Sequence, residues 1–232
     1  MIRVEEVSKR FRDYTVLDRV SFEIPDGKTT VILGPSGVGK TVLLKIMAGL
    51  LAPDAGRVYH DGNRIHFGRF ADPRAETGGL GYVFQGGALF DSLTVAENVA
   101  LVLEETTRLS RAEVRSRVSE ALRRVGMAEH AELYPRALSG GMTRLVAIAR
   151  ALVAEPRCVF YDEPTTGLDP AIRERVSTMI RELREQRTRL QVVVTHDLDA
   201  ARLLADSTYM LRAGKLVRAD NVRKEDYEQA YA

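Results

Sequence analysis

Cysteine is almost absent from this 232-residue chain, where Cys158 stands alone. No intrachain disulfide can form, and a reducing compartment fits that usage. The single thiol reads as a small buried hydrophobe rather than a nucleophile. Long apolar runs are missing as well. A helix needs about 20 apolar residues to cross a bilayer, and residues 1–11 lack the apolar core of a secretory leader. Any action on a membrane is therefore expected to run through a partner. Neither sign of charge dominates: 34 Lys and Arg against 32 Asp and Glu leave +2, which gives no case for bulk nucleic-acid binding. Internal repeats, low-complexity tracts and Pro/Ser-rich linkers are absent too. What remains is an ordinary globular mixture, 45% hydrophobic and 28% charged, long enough to bury a substantial core.

Three short runs rich in β-branched or aromatic residues are present: Val31-Ile32-Leu33, Val159-Phe160-Tyr161 and Val192-Val193-Val194. They suit strands buried on both faces of a mostly parallel sheet. Helical patterns lie between them. Ile172, Val176, Met179, Ile180 and Leu183 recur at helical spacing behind Asp169-Pro170, a capping residue followed by proline at the first helical position. Ser110 and Glu113 form a capping-box pattern ahead of Val114, Val118, Leu122 and Val125. The stretch from about 90 to 155 is helix-dominated between strand-rich flanks. One domain over residues 1–232 is expected, with an α/β core (1–89 and 156–232) and an inserted helical subdomain.

Gly34-Pro35-Ser36-Gly37-Val38-Gly39-Lys40-Thr41 carries the pattern G-x-x-x-x-G-K-[ST], fed by an apolar strand and followed by a helix that begins around Val42. Glycines let backbone N–H groups turn inward around phosphate oxygens, and the helix N-terminus favours negative charge. Lys40 can then reach β- and γ-phosphates, and the Thr41 hydroxyl can ligate Mg²⁺. A second apolar strand ends in Asp162-Glu163. Alone, two acids after a strand make a common solvated turn. Beside a phosphate loop, Asp162 can hold the Mg²⁺ shell through water, and Glu163 can act as general base towards the attacking water.

Leu138-Ser139-Gly140-Gly141-Met142, which opens a helix upstream of Asp162, resembles the signature motif (LSGGQ) of ATP-binding-cassette (ABC) ATPases. The other family motifs follow in order. Gln85 resembles the Q-loop glutamine that senses Mg²⁺ and water. Thr166-Gly167-Leu168-Asp169 resembles the D-loop, whose Asp169 faces a second subunit. His196 resembles the switch histidine on the γ-phosphate. Phe11 resembles the aromatic residue that stacks on adenine, with Tyr14 as a nearby competitor. Taken singly, Gln85 is an ordinary polar loop residue and His196 a satisfied structural histidine, as His60, His66 and His130 are taken to be.

The resemblance implies a P-loop NTPase core with a mostly parallel sheet, an antiparallel N-terminal β part and the helical insertion. It also implies a head-to-tail dimer with a second copy. In that dimer Ser139, Gly140, Gly141 and Met142 of one copy close over ATP held by residues 34–42 of the other. ATP and Mg²⁺ are the implied substrate and metal, with Thr41, Gln85 and Asp162 around the metal. Lys40, Gln85, Glu163 and His196 are the implied catalytic set. Three positions depart from the family pattern: Met142 replaces the signature glutamine, Val42 replaces a second hydroxyl after the loop, and Phe11 replaces the more usual tyrosine. Lys40, Thr41, Asp162, Glu163 and His196 are all kept, so an active site is expected.

The short span between Lys40 and Ser139 leaves no room for the coiled coil of chromosome-type relatives, and one cysteine excludes a cysteine-rich zinc module. The cassette therefore reads as the ATPase of a transporter, held at the cytoplasmic face of the membrane by separate transmembrane permease subunits. Phe84-Gln85-Gly86-Gly87-Ala88-Leu89-Phe90 and the methionine-ending signature resemble those of Mce/Mla lipid-transport ATPases. That likeness implies lipid cargo and Mce-type lipid-binding partners. Other cargoes (a solute, a lipoprotein, a cell-division complex) and a non-transport ATP-switched regulator stand as alternatives. Leu89, Phe90 and Leu93 are either permease contacts or part of the helical subdomain's own core. Residues 222–232 read as a charged helical tail.

Overall fold

The structure is a computed structural model that describes residues 1–67, 79–186 and 190–220, with Glu225 and Tyr227. Two sheets organise it. Strands β1 (Ile2–Phe11), β2 (Tyr14–Ile24), β4 (Ala55–His60) and β5 (Asn63–Arg64) form an antiparallel sheet ordered β2-β1-β4-β5. Strands β3 (Lys28–Leu33), β6 (Leu80–Val83), β7 (Cys158–Asp162), β8 (Leu190–Thr195), β9 (Ser207–Arg212) and β10 (Lys215–Arg218) form the second, ordered β10-β9-β3-β8-β7-β6. All its pairings are parallel except the edge pair β10-β9.

The three apolar runs read from the sequence are the centres of β3, β7 and β8, each fully buried. Successive side chains leave a strand on opposite faces, and the two cores divide accordingly. Val31, Leu33, Val159, Tyr161 and Val193 point into one core. Ile32, Phe160, Val192 and Val194 point into the other, with the antiparallel sheet and helix α1 (Lys40–Met47).

The first core also holds the helices α2 (Val95–Thr106), α3 (Arg111–Arg124), α4 (Gly140–Leu152) and α5 (Pro170–Gln186). Helices α2, α3 and α4 lie between β6 and β7 in sequence, and their apolar faces run continuously into that face of the sheet. Ser110 and Glu113 cap α3 reciprocally, and Asp169 Oδ1 accepts from the Ala171 and Ile172 amides at 3.1 Å each to start α5. Thr94 and Glu97 cap α2 in the same way. A short helix, α6 (Leu198–Leu204), follows β8.

Strand order fixes the site. In the sequence β3-β8-β7, Leu33 lies beside Thr195 and Asp162 beside Val194. The three carboxyl ends therefore open at one edge of the sheet, where ligands of α/β folds bind. Among the described residues no helix is long and apolar enough to cross a membrane. The tail expected over 222–232 lies outside the described residues, apart from Glu225 and Tyr227.

Candidate active site

The loop after β3 bends where only glycine fits. Gly39, at φ +110°, caps α1, and a Cβ there would sit 2.5 Å from Val16 Cγ1 of β2. That approach locks the loop to the β1–β2 hairpin, whose tip carries Phe11 opposite Tyr14. Both rings are exposed, Phe11 by 47% and Tyr14 by 66%. The Lys9 ammonium lies over the Phe11 ring, 5.5 Å from its centroid.

Lys40 starts α1 almost wholly buried. Its ammonium donates to the carbonyls of Gly34 (2.8 Å) and Pro35 (2.9 Å) and pairs with Glu163 Oε1 at 3.1 Å. One residue on, the Thr41 hydroxyl donates to Asp162 Oδ1 at 2.8 Å. The two sequence motifs thus meet as two neighbouring pairs, Lys40 with Glu163 and Thr41 with Asp162.

The carboxylates are pushed in opposite directions. Burial raises the Asp162 carboxyl above its ordinary value, and the Thr41 hydroxyl only partly offsets it. Glu163 is also buried, which by itself raises its value. Hydrogen bonds from Thr166 and His196 and the charge of Lys40 outweigh that and hold it below the ordinary carboxylate range. Glu163 is thereby kept ionised, as a base must be. Its backbone is held at φ +48°, a costly conformation for a residue with a side chain. Its amide donates to Val194 O at 2.9 Å.

His196, just past β8, places Nδ1 3.0 Å from Glu163 Oε1, with its side chain 42% exposed towards the opening. Lys40, Thr41, Asp162, Glu163 and His196 are therefore one cluster. Gln85 is exposed beyond β6, and among the described residues no hydrogen bond joins it to the cluster. Ser139 caps α4, its Oγ accepting from the Met142 amide at 3.2 Å, and is exposed with Gly140. No hydrogen bond joins Ser139, Gly140, Gly141 or Met142 to the Lys40 cluster among the described residues. Instead Gly141 abuts α5, where a Cβ would sit 3.1 Å from Ile172 Cγ2, so the signature lies beside the segment ending in Asp169. Met142 packs its side chain on the first core.

A sequence profile described as "ABC transporter" matches residues 17–166. The chain belongs to the ABC transporter family. The cassette is 39% identical to a probable sulfate/thiosulfate import ATP-binding protein CysA of Chlorella vulgaris, over 96% of this chain and 92% of that one. It is 39% identical to methionine import ATP-binding protein MetN 1 of Rhodococcus jostii, over 96% of this chain and 67% of that one. It is 38% identical to the chloroplastic protein Trigalactosyldiacylglycerol 3 of Arabidopsis thaliana, over 94% and 67%. Among solved structures, the dimeric post-hydrolysis state of the ATP-binding cassette MJ0796 with ADP and Pi superposes with a TM-score of 0.88 at 32% identity, covering 96% of this chain and 99% of that one. The fold is that of an ABC ATPase, and the activity is ATP hydrolysis with Mg²⁺ as the usual metal.

The residues present suit that metal. Thr41 and Asp162 offer hard oxygen donors side by side, and the buried Asp162 carboxyl lacks a cationic partner strong enough to bring its value down. Among the described residues no group of three or more His, Cys, Asp and Glu is arranged to hold a metal alone. Phosphate oxygens and water must complete the shell, which is the habit of Mg²⁺.

Several supporting residues had no sequence signal. Arg144 and Arg150, both buried in α4, donate to the carbonyls of Phe84 (2.8 Å), Ala88 (2.7 Å) and Gly87 (2.6 Å). They tie the loop after β6 to the signature helix. Asn98 is fully buried and binds Phe90 through both its amide and its carbonyl, along with Leu93 O and Thr94 O. The Leu89-Phe90-Leu93 alternatives divide: Leu89 packs on the first core, whereas Phe90 is 53% exposed. His60 is satisfied by Met47 O at 2.8 Å. The expectation for His130 needs correcting, because its Nδ1 is buried with no hydrogen-bond partner among the described residues. Cys158 is buried, which pushes its thiol up and leaves it inert.

Proposed function

We propose that this cassette drives the movement of phospholipid or another lipid between membranes of a bacterial envelope. In this reading two copies, held at the cytoplasmic face by permease subunits and linked to Mce-type lipid-binding proteins, sandwich two ATP molecules. The observation that carries the catalytic part is the single cluster of Lys40, Glu163 and His196 beside the Thr41–Asp162 pair.

Lys40 exchanges its loop carbonyls for the β- and γ-phosphates, and Phe11 receives the adenine. Glu163 orients the attacking water through Oε1 and takes its proton, while Lys40 and His196 stabilise the phosphoryl group in transit. Thr41, Gln85 and water on Asp162 would hold Mg²⁺, which would offset the charge of the β- and γ-phosphates. Ser139 and the free amides of Gly140 and Gly141 supply the last anion site to the partner's nucleotide. Closure of the pair moves the permeases, and hydrolysis releases them.

Lipid cargo rests on the Phe84-to-Phe90 stretch and the Met142-ending signature, with support from the Arabidopsis relative, whose name is that of a glycolipid. The Chlorella and Rhodococcus relatives are named for sulfate/thiosulfate and methionine import, which favours small-solute import as the second reading. Purification of the tagged chain from membranes in mild detergent separates them. Lipid transport predicts a permease, a membrane-anchored lipid-binding protein and bound phospholipid. A solute permease with a soluble binding protein would replace that cargo, and a chain with no membrane partner would end the transport reading.

A further inference from the structure

Glu163 is held by more than the groups that touch nucleotide. We propose that Thr166 and Thr195 are positioning residues for hydrolysis, which anchor Glu163 Oε2 so that Oε1 alone faces the reacting phosphate. This rests on the reading of Glu163 as the base.

The two oxygens of that carboxylate have separate company. Oε1 faces Lys40 Nζ at 3.1 Å and His196 Nδ1 at 3.0 Å, the groups that turn to the nucleotide. Oε2 accepts from the Thr166 hydroxyl at 2.7 Å, the Thr195 hydroxyl at 3.1 Å and the His196 amide at 3.3 Å. Three donors converge on one oxygen from two different elements, the turn after β7 and the end of β8. Rotating the carboxylate would strip all three at once inside a buried site, where an unpaired charge is costly. Their geometry therefore fixes the plane of the carboxylate and the direction in which its other oxygen meets water.

The anchors differ in what else they do. Thr195 is fully buried and also accepts from the Asp197 amide at 3.0 Å, so it serves the start of α6 as well. Among the described residues the Thr166 side chain hydrogen-bonds only Glu163, and it opens the Thr166-Gly167-Leu168-Asp169 segment. Any shift of that segment is passed to the base through one short hydrogen bond. Both hydroxyls donate to Oε2, whereas Lys40 and His196 lie at Oε1, so their removal should act on chemistry and leave binding alone.

The test is steady-state ATPase kinetics on the purified full chain with Mg-ATP, comparing Thr166→Val, Thr195→Val, Thr166→Ser and Thr195→Ser, with Glu163→Gln alongside. Misplacing a catalytic group by about an ångström costs on the order of 100-fold. Thr166→Val should lower kcat by about 10- to 100-fold with KM little changed, and Thr166→Ser should restore it. Thr195→Val should act in the same direction. If it fails to fold, the partly exposed Thr166 decides alone. Valine variants with wild-type kcat beside an inactive Glu163→Gln would overturn the positioning role and leave the base in place. Full turnover in Glu163→Gln would overturn both.

Discussion

Replacing Glu163 by glutamine should do two things, and the second follows from its ion pair with Lys40. Loss of the base should lower turnover by about 10²- to 10⁴-fold. The same change also frees Lys40. At 3.1 Å, the ion pair has a Coulomb energy of about 5 kcal/mol at an effective permittivity of ~20. Desolvation offsets part of that. Glutamine still offers an acceptor oxygen, and the Gly34 and Pro35 carbonyls still hold the ammonium. The net penalty for Lys40 in the variant is therefore smaller than the roughly 3–5 kcal/mol typical of breaking a buried pair, and about 2 kcal/mol is a reasonable figure. A phosphate that claims Lys40 recovers this energy in the variant but must compete with Glu163 in the wild type. ADP affinity should thus rise by about 10- to 30-fold. ADP is the right probe, since it lacks the γ-phosphate that would complete a sandwiched pair. Titration calorimetry at concentrations where the chain is monomeric measures this. Equal ADP affinity for both proteins would refute the competition, and retained turnover would refute the base.

Other outcomes follow from the same site and its supports. Asp162, raised by burial, binds its proton more tightly folded than unfolded. Its contribution to stability is present in acid and lost as pH rises through the folded value. Asp162→Asn should therefore raise the melting temperature of the nucleotide-free chain at neutral pH while abolishing Mg²⁺-dependent turnover; a lower melting temperature would contradict the sign. Asn98→Ala removes a fully buried hub that holds Phe90, Leu93 and Thr94, and should cost about 1–3 kcal/mol in urea unfolding. It should also weaken recovery of the permease, because Phe90 loses its support; unchanged stability would remove Asn98 from that role.

The parts legible in the sequence were those whose signal is local. Asp162, Glu163 and His196 each sit at or just past the end of an apolar run, Lys40 follows the glycine loop after another, and parallel strands bring such ends together, so motif and fold point to the same cluster. The Ser110–Glu113 box and the Asp169 cap were readable for the same reason. The antiparallel sheet was not readable from alternation. Strand β1 shifts register between Val4 and Val7 and again towards Arg10, with Glu6 at φ +47°, and these bulges break the period of two. Only the family resemblance supplied that sheet. Arg144, Arg150 and Asn98 escaped because their partners are backbone carbonyls, which no side-chain pattern marks. The Thr94–Glu97 box that caps α2 carries the same local pattern. Leu89 and Phe90 show the limit of hydropathy: neighbours of equal apolar character separate into core and surface only once α2 is in place.

The central claim is that each ATP lies between the phosphate loop of one copy and the signature of another. In the single chain, Ser139 is exposed and shares no hydrogen bond with the Lys40 cluster among the described residues, while Ser36 and Gly37 of the phosphate loop are exposed too. Mixing Lys40→Ala with Ser139→Ala tests the claim directly. Neither variant alone should hydrolyse ATP, whereas their mixed dimer contains one site with an intact Lys40 loop and an intact Ser139 partner. Turnover regained on mixing is the predicted result; a mixture that dimerises yet stays inactive would contradict it.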